Sequence, residues 1–164
     1  TANTQGSCAI IVNPVPLDPT LSTPIKSVSI GDQFGVYVQS NGTLWSWGNL
    51  SYGQVPFPYT KNFAPVFMTN WKQYAAGYAA FFGIQSNGTL WTWGAGSQGQ
   101  LGNNTNMSAS YPQQVGALSI WSQVACGYNH TLALQSNGTL WMWGGNSFGQ
   151  LGQNNQTNYC QDSC

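Results

Sequence analysis

The sequence predicts an all-β protein made of three repeats of short antiparallel strands, and three observations carry that prediction. The decapeptide QSNGTLWxWG occurs at residues 39–48, 85–94 and 135–144, so successive copies begin 46 and then 50 residues apart. Spacings of that size mark a structural repeat rather than a short binding motif. Asn-Gly sits inside every copy, between apolar residues that alternate. This is the strongest short-range hairpin signal, because both residues tolerate the positive φ of a tight turn. Helical periodicity is absent throughout.

Each copy reads as a hairpin with two working faces. Before the turn stand Val36 and Val38, Phe82 and Ile84, Leu132 and Leu134. After it, Trp45 and Trp47, Trp91 and Trp93, Trp141 and Trp143 lie two apart, so each pair shares one strand face. Leu44, Leu90 and Leu140 point the other way. Both faces are therefore partly apolar, as in a small sheet covered on both sides. Among the copies a single position varies, holding Ser46, Thr92 and Met142. A glycine ends each strand.

In chain order, residues 1–26 form an N-terminal strand and a Pro-rich linker. Cys8, Ala9, Ile10, Ile11 and Val12 read as one short buried strand, and the run 13–24 holds four prolines. Residues 27–153 carry the three repeats, at about 27–72, 73–122 and 123–153. Residues 65–68 and 111–118 take equivalent places between hairpins, so each unit supplies three or four strands. Residues 154–164 are a Cys-containing tail.

Composition restricts function. Charged residues make up only 4% of the chain, against the usual quarter. Lys26, Lys61 and Lys72 balance Asp18, Asp32 and Asp162, with no basic stripe, which argues against a nucleic-acid partner. No apolar run has the length to span a bilayer. The chain begins at Thr1 without Met or a leader; a processed mature protein is the economical reading, though a trimmed chain would look identical.

Cys8, Cys126, Cys160 and Cys164 match no zinc spacing, and His130 is the only histidine. Cysteines near both ends suggest stapling by disulfides. The alternative for Cys126 is a small buried residue, since it aligns with Ala76 and Ile30.

No catalytic constellation appears, and neither a metal nor a cofactor is expected. His130 lacks a partner carboxylate in a recognisable motif, the aspartates stand in unrelated contexts, and no Gly-rich phosphate cradle leads to a lysine. The tryptophan pairs are expected to pack between repeats. Tyr52, Tyr59, Tyr111 and Phe148 are the candidates for stacking on glycans. Asn-x-Ser/Thr sequons mark Asn41, Asn49, Asn87, Asn103, Asn106, Asn129, Asn137 and Asn155. Asn129 lies beside a strand, which leaves the loop residues Asn49, Asn103, Asn106 and Asn155 as the best glycosylation candidates, ahead of Asn41, Asn87 and Asn137 in the turns.

With these residues in view, VACGYNHTLALQSNGTLWMWGGNSFGQLG (residues 124–152) resembles the regulator of chromosome condensation repeat. Residues 74–102 match well, whereas the first repeat has SYGQVP where GQLG is expected. The resemblance covers roughly residues 24–153 and looks most like secreted or environmental members. It implies four-stranded blades packed face to face around an axis, as a partial or open β-propeller, and a structural role for His130.

Propellers commonly have four to eight blades, so three do not close a ring: either the chain is a fragment, or copies assemble, or the three blades form an open arc completed by other contacts, such as neighbouring subunits. After Gly152 no further apolar strand follows, and the orphan strand at residues 8–12 would fill that edge by exchange between subunits. The resulting expectation is a non-enzymatic extracellular or surface protein. It would partner itself as a homo-oligomer or filament, with N-terminal strand exchange. A carbohydrate-binding propeller, or a secreted docking or inhibitory propeller, is the alternative.

Overall fold

The computed structural model describes residues 23–32, 34–49, 51–53, 64–66, 68–154 and 159–163. Three four-stranded antiparallel sheets follow one another along the chain. The first holds β1 (Ile25–Ile30), β2 (Phe34–Gln39), β3 (Leu44–Gly48) and β4 (Ala64–Val66). The second holds β5 (Trp71–Ala76), β6 (Ala80–Gln85), β7 (Leu90–Gly94) and β8 (Ala109–Gln114). The third holds β9 (Trp121–Cys126), β10 (His130–Gln135), β11 (Leu140–Gly144) and β12 (Tyr159–Ser163). Each is a simple meander, and no helix occurs among the described residues.

The hairpins of the repeat fall where the Asn-Gly signal places them, with Val38 opposite Leu44, Ile84 opposite Leu90 and Leu134 opposite Leu140. The turn chemistry differs from the expected one. Only the glycines take positive φ, +84° at Gly42, +82° at Gly88 and +89° at Gly138. The asparagines work through their side chains instead. Oδ1 of Asn41, Asn87 and Asn137 accepts the backbone N–H of Thr43, Thr89 and Thr139, as in an Asx turn.

Register sorts the side chains onto two faces. One carries the tryptophans, and the other carries Val36, Val38 and Leu44 in the first sheet and Phe82, Ile84 and Leu90 in the second. The tryptophan face looks back at the preceding sheet. On the second sheet that face includes Tyr74, whose hydroxyl bonds Ser27 Oγ of β1. On the third it includes Trp143 and Thr131, which both donate to the Gln100 carbonyl, at 2.8 and 2.9 Å. The opposite face looks forward, as Gln73 of β5 shows by bonding Val124 of β9. Burial is nearly complete in these seams, where Ile84, Leu90, Trp93 and Leu101 are fully buried. The three sheets are thus stacked face to face like propeller blades, with β1, β5 and β9 innermost.

One sequence expectation is overturned. The third blade does not lack its outer strand, because β12 pairs with β11, setting Tyr159 opposite Gly144 and Ser163 opposite Trp141. Cys8, Ala9, Ile10, Ile11 and Val12 lie outside the described residues, and they are not needed at that edge. The strand was missed because YCQDS has no apolar alternation. Ladder hydrogen bonds can hold an outermost strand without an apolar code, and β8 of the second sheet is mostly exposed.

Candidate functional site

The loops leaving β1, β5 and β9 are equivalent in the three repeats: Gly31-Asp32, Gly77-Tyr78 and Gly127-Tyr128. Their glycines let the loops nest. A Cβ on Gly31 would lie 2.4 Å from the Gly77 carbonyl oxygen, and one on Gly77 would lie 2.9 Å from that of Gly127. Nesting brings the next residue of each loop together. Tyr78 and Tyr128 stack with ring centres 3.8 Å apart and planes inclined by 23°. Beside them Asp32 completes an open depression of about 240 Å³ with Ile30 and Cys126.

The electrostatics follow from this crowding. A hydrogen bond with Tyr78, then loss of solvent, and behind these the charges of Tyr78 and Asp32, push the Tyr128 phenol up to about 12. Tyr52, singled out as a glycan candidate, is near enough to add to that shift. Cys126 is a free thiol, contrary to its candidacy for a disulfide, and burial alone pushes it up to about 12. It sits in the strand position shared with Ile30 and Ala76, where the inner strands leave no second cysteine in reach among the described residues. Cys8 and Cys164 lie outside the described residues, and Cys160 falls within β12. His130 covers Gly127, whose added Cβ would lie 2.2 Å from the imidazole.

A second feature is the forward face of the third blade. Leu132, Leu134 and Leu140 stand in register with Phe82, Ile84 and Leu90 of the second blade, which are at most 1% exposed. Here the leucines instead line a groove of about 350 Å³ with Gln123 and Ala125, and Leu140 is 39% exposed. Met142 stands beside them where the earlier blades bury Ser46 and Thr92.

The polar part of the seam is equally unfilled. Gln73 clamps Val124 by donating from Nε2 to its carbonyl and accepting from its N–H, both at 2.6 Å. Its counterpart Gln123 is exposed. Val28, the counterpart of Val124 at the opposite end of the stack, is 64% exposed. Glycine contacts repeat the pattern. A Cβ on Gly102 would lie 2.7 Å from Trp143 Nε1, whereas one on the equivalent Gly152 meets nothing within 4 Å.

The remaining candidates are dispersed. Asn41, Asn87, Asn106 and Asn137 are exposed, and Asn49, Asn103 and Asn129 are half-buried. Asn103 uses its amide to bond Gln113, and Asn49 accepts from Ser51. Tyr111 and Phe148 are exposed, while Tyr59 and Asn155 fall outside the described residues. Sequence reasoning missed Tyr78, Tyr128, Gln73 and Gln123. Their shared repeat positions were visible, but the contacts they make were not.

Stacked four-stranded meanders with these seams define a repeat β-propeller protein. Two models of the regulator of chromosome condensation (RCC1) repeat match it, one at residues 87–134 and the other at 25–54 and 121–150. Together they span residues 25–54 and 87–150, more than half of the chain. The chain belongs to the RCC1-repeat family. No curated protein matches it in sequence.

Solved structures agree on the fold. Human WBSCR16 superposes with a TM-score of 0.80 at 23% identity, over 92% of this chain and 42% of that one. Yeast RCC1 (Prp20), in its complex with Kap60, gives 0.76 at 24% identity over 92% and 37%. Prp20p from Saccharomyces cerevisiae, described with its binding to Gsp1p and histones, gives 0.67 at 20% identity over 75% and 31%. The chain therefore spans less than half the length of these propellers.

Proposed function

We propose that this chain is a non-enzymatic interaction module that docks blade to blade with copies of itself, as a subunit of an extracellular or surface assembly. The family fold supports an interaction role, since RCC1-like propellers are in general binders or exchange factors. The observation that carries self-docking is the repetition of one seam. Gln73 grips Val124 inside the stack, while Gln123 and Val28, the same two positions, are exposed at its two ends.

The apolar part of the seam tells the same story. Trp47 of the first blade is half-buried, where its counterparts Trp93 and Trp143 are at most 1% exposed. A second copy placing its first blade on the leucine face would extend the face-to-face stacking that already joins the second blade to the third. Contacts of this head-to-tail kind make rings when they close and filaments when they do not. Strand exchange has no part in this reading, because β12 already completes the third blade. The loop sequons support an extracellular setting.

Sedimentation velocity over a hundredfold range of concentration tests the proposal. The native chain is expected to show species larger than one copy. Leu134→Glu, which buries a charge in the seat, and Gly152→Ala, which puts a methyl where Trp47 of the next copy would approach, should both sediment as monomers. Self-association unchanged in both variants would place the contact elsewhere.

A further inference from the structure

We propose that the depression at the inner end of the blades is a binding site for an organic cation, held between the Asp32 carboxylate and the Tyr128 ring. The site is chemically unusual for this chain. Only three acidic residues exist in 164, and one of them is placed beside a stacked tyrosine pair. Asp32 is exposed, and among the described residues no cation pairs with it. Lys26 lies six residues back along the inner strand, roughly 20 Å away at strand rise.

The aromatic geometry favours a compact cation over a neutral ring. Tyr78 and Tyr128 cover each other's inner faces at 3.8 Å, leaving the outer surface of Tyr128, which is 60% exposed, as the platform. The electron-rich face of a tyrosine attracts an ammonium or guanidinium group within about 6 Å of its centre. Asp32 supplies the opposite charge, and it lines the same depression as Tyr128. A depression of about 240 Å³ fits the head of an arginine or lysine side chain or a small quaternary ammonium ion. Tyr78, Tyr128 and Asp32 converge because Gly31 and Gly77 allow each loop to nest against the next, so the arrangement is built by the stacked blades rather than by one repeat.

Titration of the full chain with tetramethylammonium, N-acetyl-argininamide or N-acetyl-lysinamide, followed by amide NMR, tests the proposal. tert-Butanol serves as the neutral control. Saturable shifts at Gly127 and Tyr128 are expected, with a dissociation constant weaker than about 1 mM for an exposed site of this kind. Asp32→Asn and Tyr128→Leu should each weaken binding at least threefold, while Tyr111→Leu should leave it unchanged. Thermal melting of each variant confirms that it is folded. Preference for tetramethylammonium assigns the site to a free quaternary ammonium ligand, and preference for the amides assigns it to a cationic side chain of a partner. Equal shifts with tert-butanol, or undiminished binding in folded Asp32→Asn, would overturn the proposal.

Discussion

The indole N–H of Trp143 and the hydroxyl of Thr131 converge on one carbonyl, that of Gln100, and fasten the third blade to the second. Both donors come from the repeat hairpin, and the acceptor lies in the glycine-rich turn of the preceding repeat. Trp143→Phe removes one buried donor and part of a fully packed ring, and should destabilise the fold by about 2–3 kcal/mol. Gly102→Ala should cost at least as much, because it adds strain at φ +65° to a clash with the same indole. Urea unfolding checks both.

Gln73 performs the work of a neighbouring strand. β9 presents an inner edge whose backbone groups have no strand beyond them, and one amide side chain satisfies both the N–H and the C=O of Val124. Gln73→Ala should destabilise by about 2–3 kcal/mol by leaving both without a partner. Gln73→Glu should be destabilising as well, since a carboxylate accepts from the N–H but gives nothing to the carbonyl. Thermal melting separates these variants from native.

The hydroxyls of Ser46 and Thr92 are buried without a protein partner. An unpaired buried hydroxyl lowers stability, and valine has nearly the shape of threonine. Thr92→Val should therefore be neutral or stabilise by up to about 1 kcal/mol, read from the urea midpoint at unchanged slope.

Cys126 should resist thiol reagents in the native state. Burial raises its pKa to about 12, so at pH 8 the thiolate fraction is on the order of one in ten thousand. The folded pKa exceeds the unfolded one, so the protein gains stability from the neutral thiol at pH below the unfolded value. That stability is lost as pH rises through the folded value, because the unfolded chain sheds its proton first. Disulfide-exchange labelling should run far faster in urea than in buffer, and equal rates would contradict the burial.

What the sequence revealed follows from the range of each interaction. The hairpins, the tryptophan face and the repeat period depend on neighbours within a few residues, and all were legible. β12 was not, because YCQDS is paired through its backbone and needs no apolar code. Tyr78 and Tyr128 lie 50 residues apart and meet only through nested loops, so tyrosines in longer loops drew attention instead. Gln73 looks like one more polar residue among many until the inner edge of β9 comes to lie against it.

Electron microscopy of the native protein tests the central claim most directly. If Gln123 and the leucines of the third blade seat the first blade of another copy, the images should show three-blade arcs joined head to tail, as closed rings or as filaments. Isolated three-blade arcs at concentrations well above those used for sedimentation would contradict it.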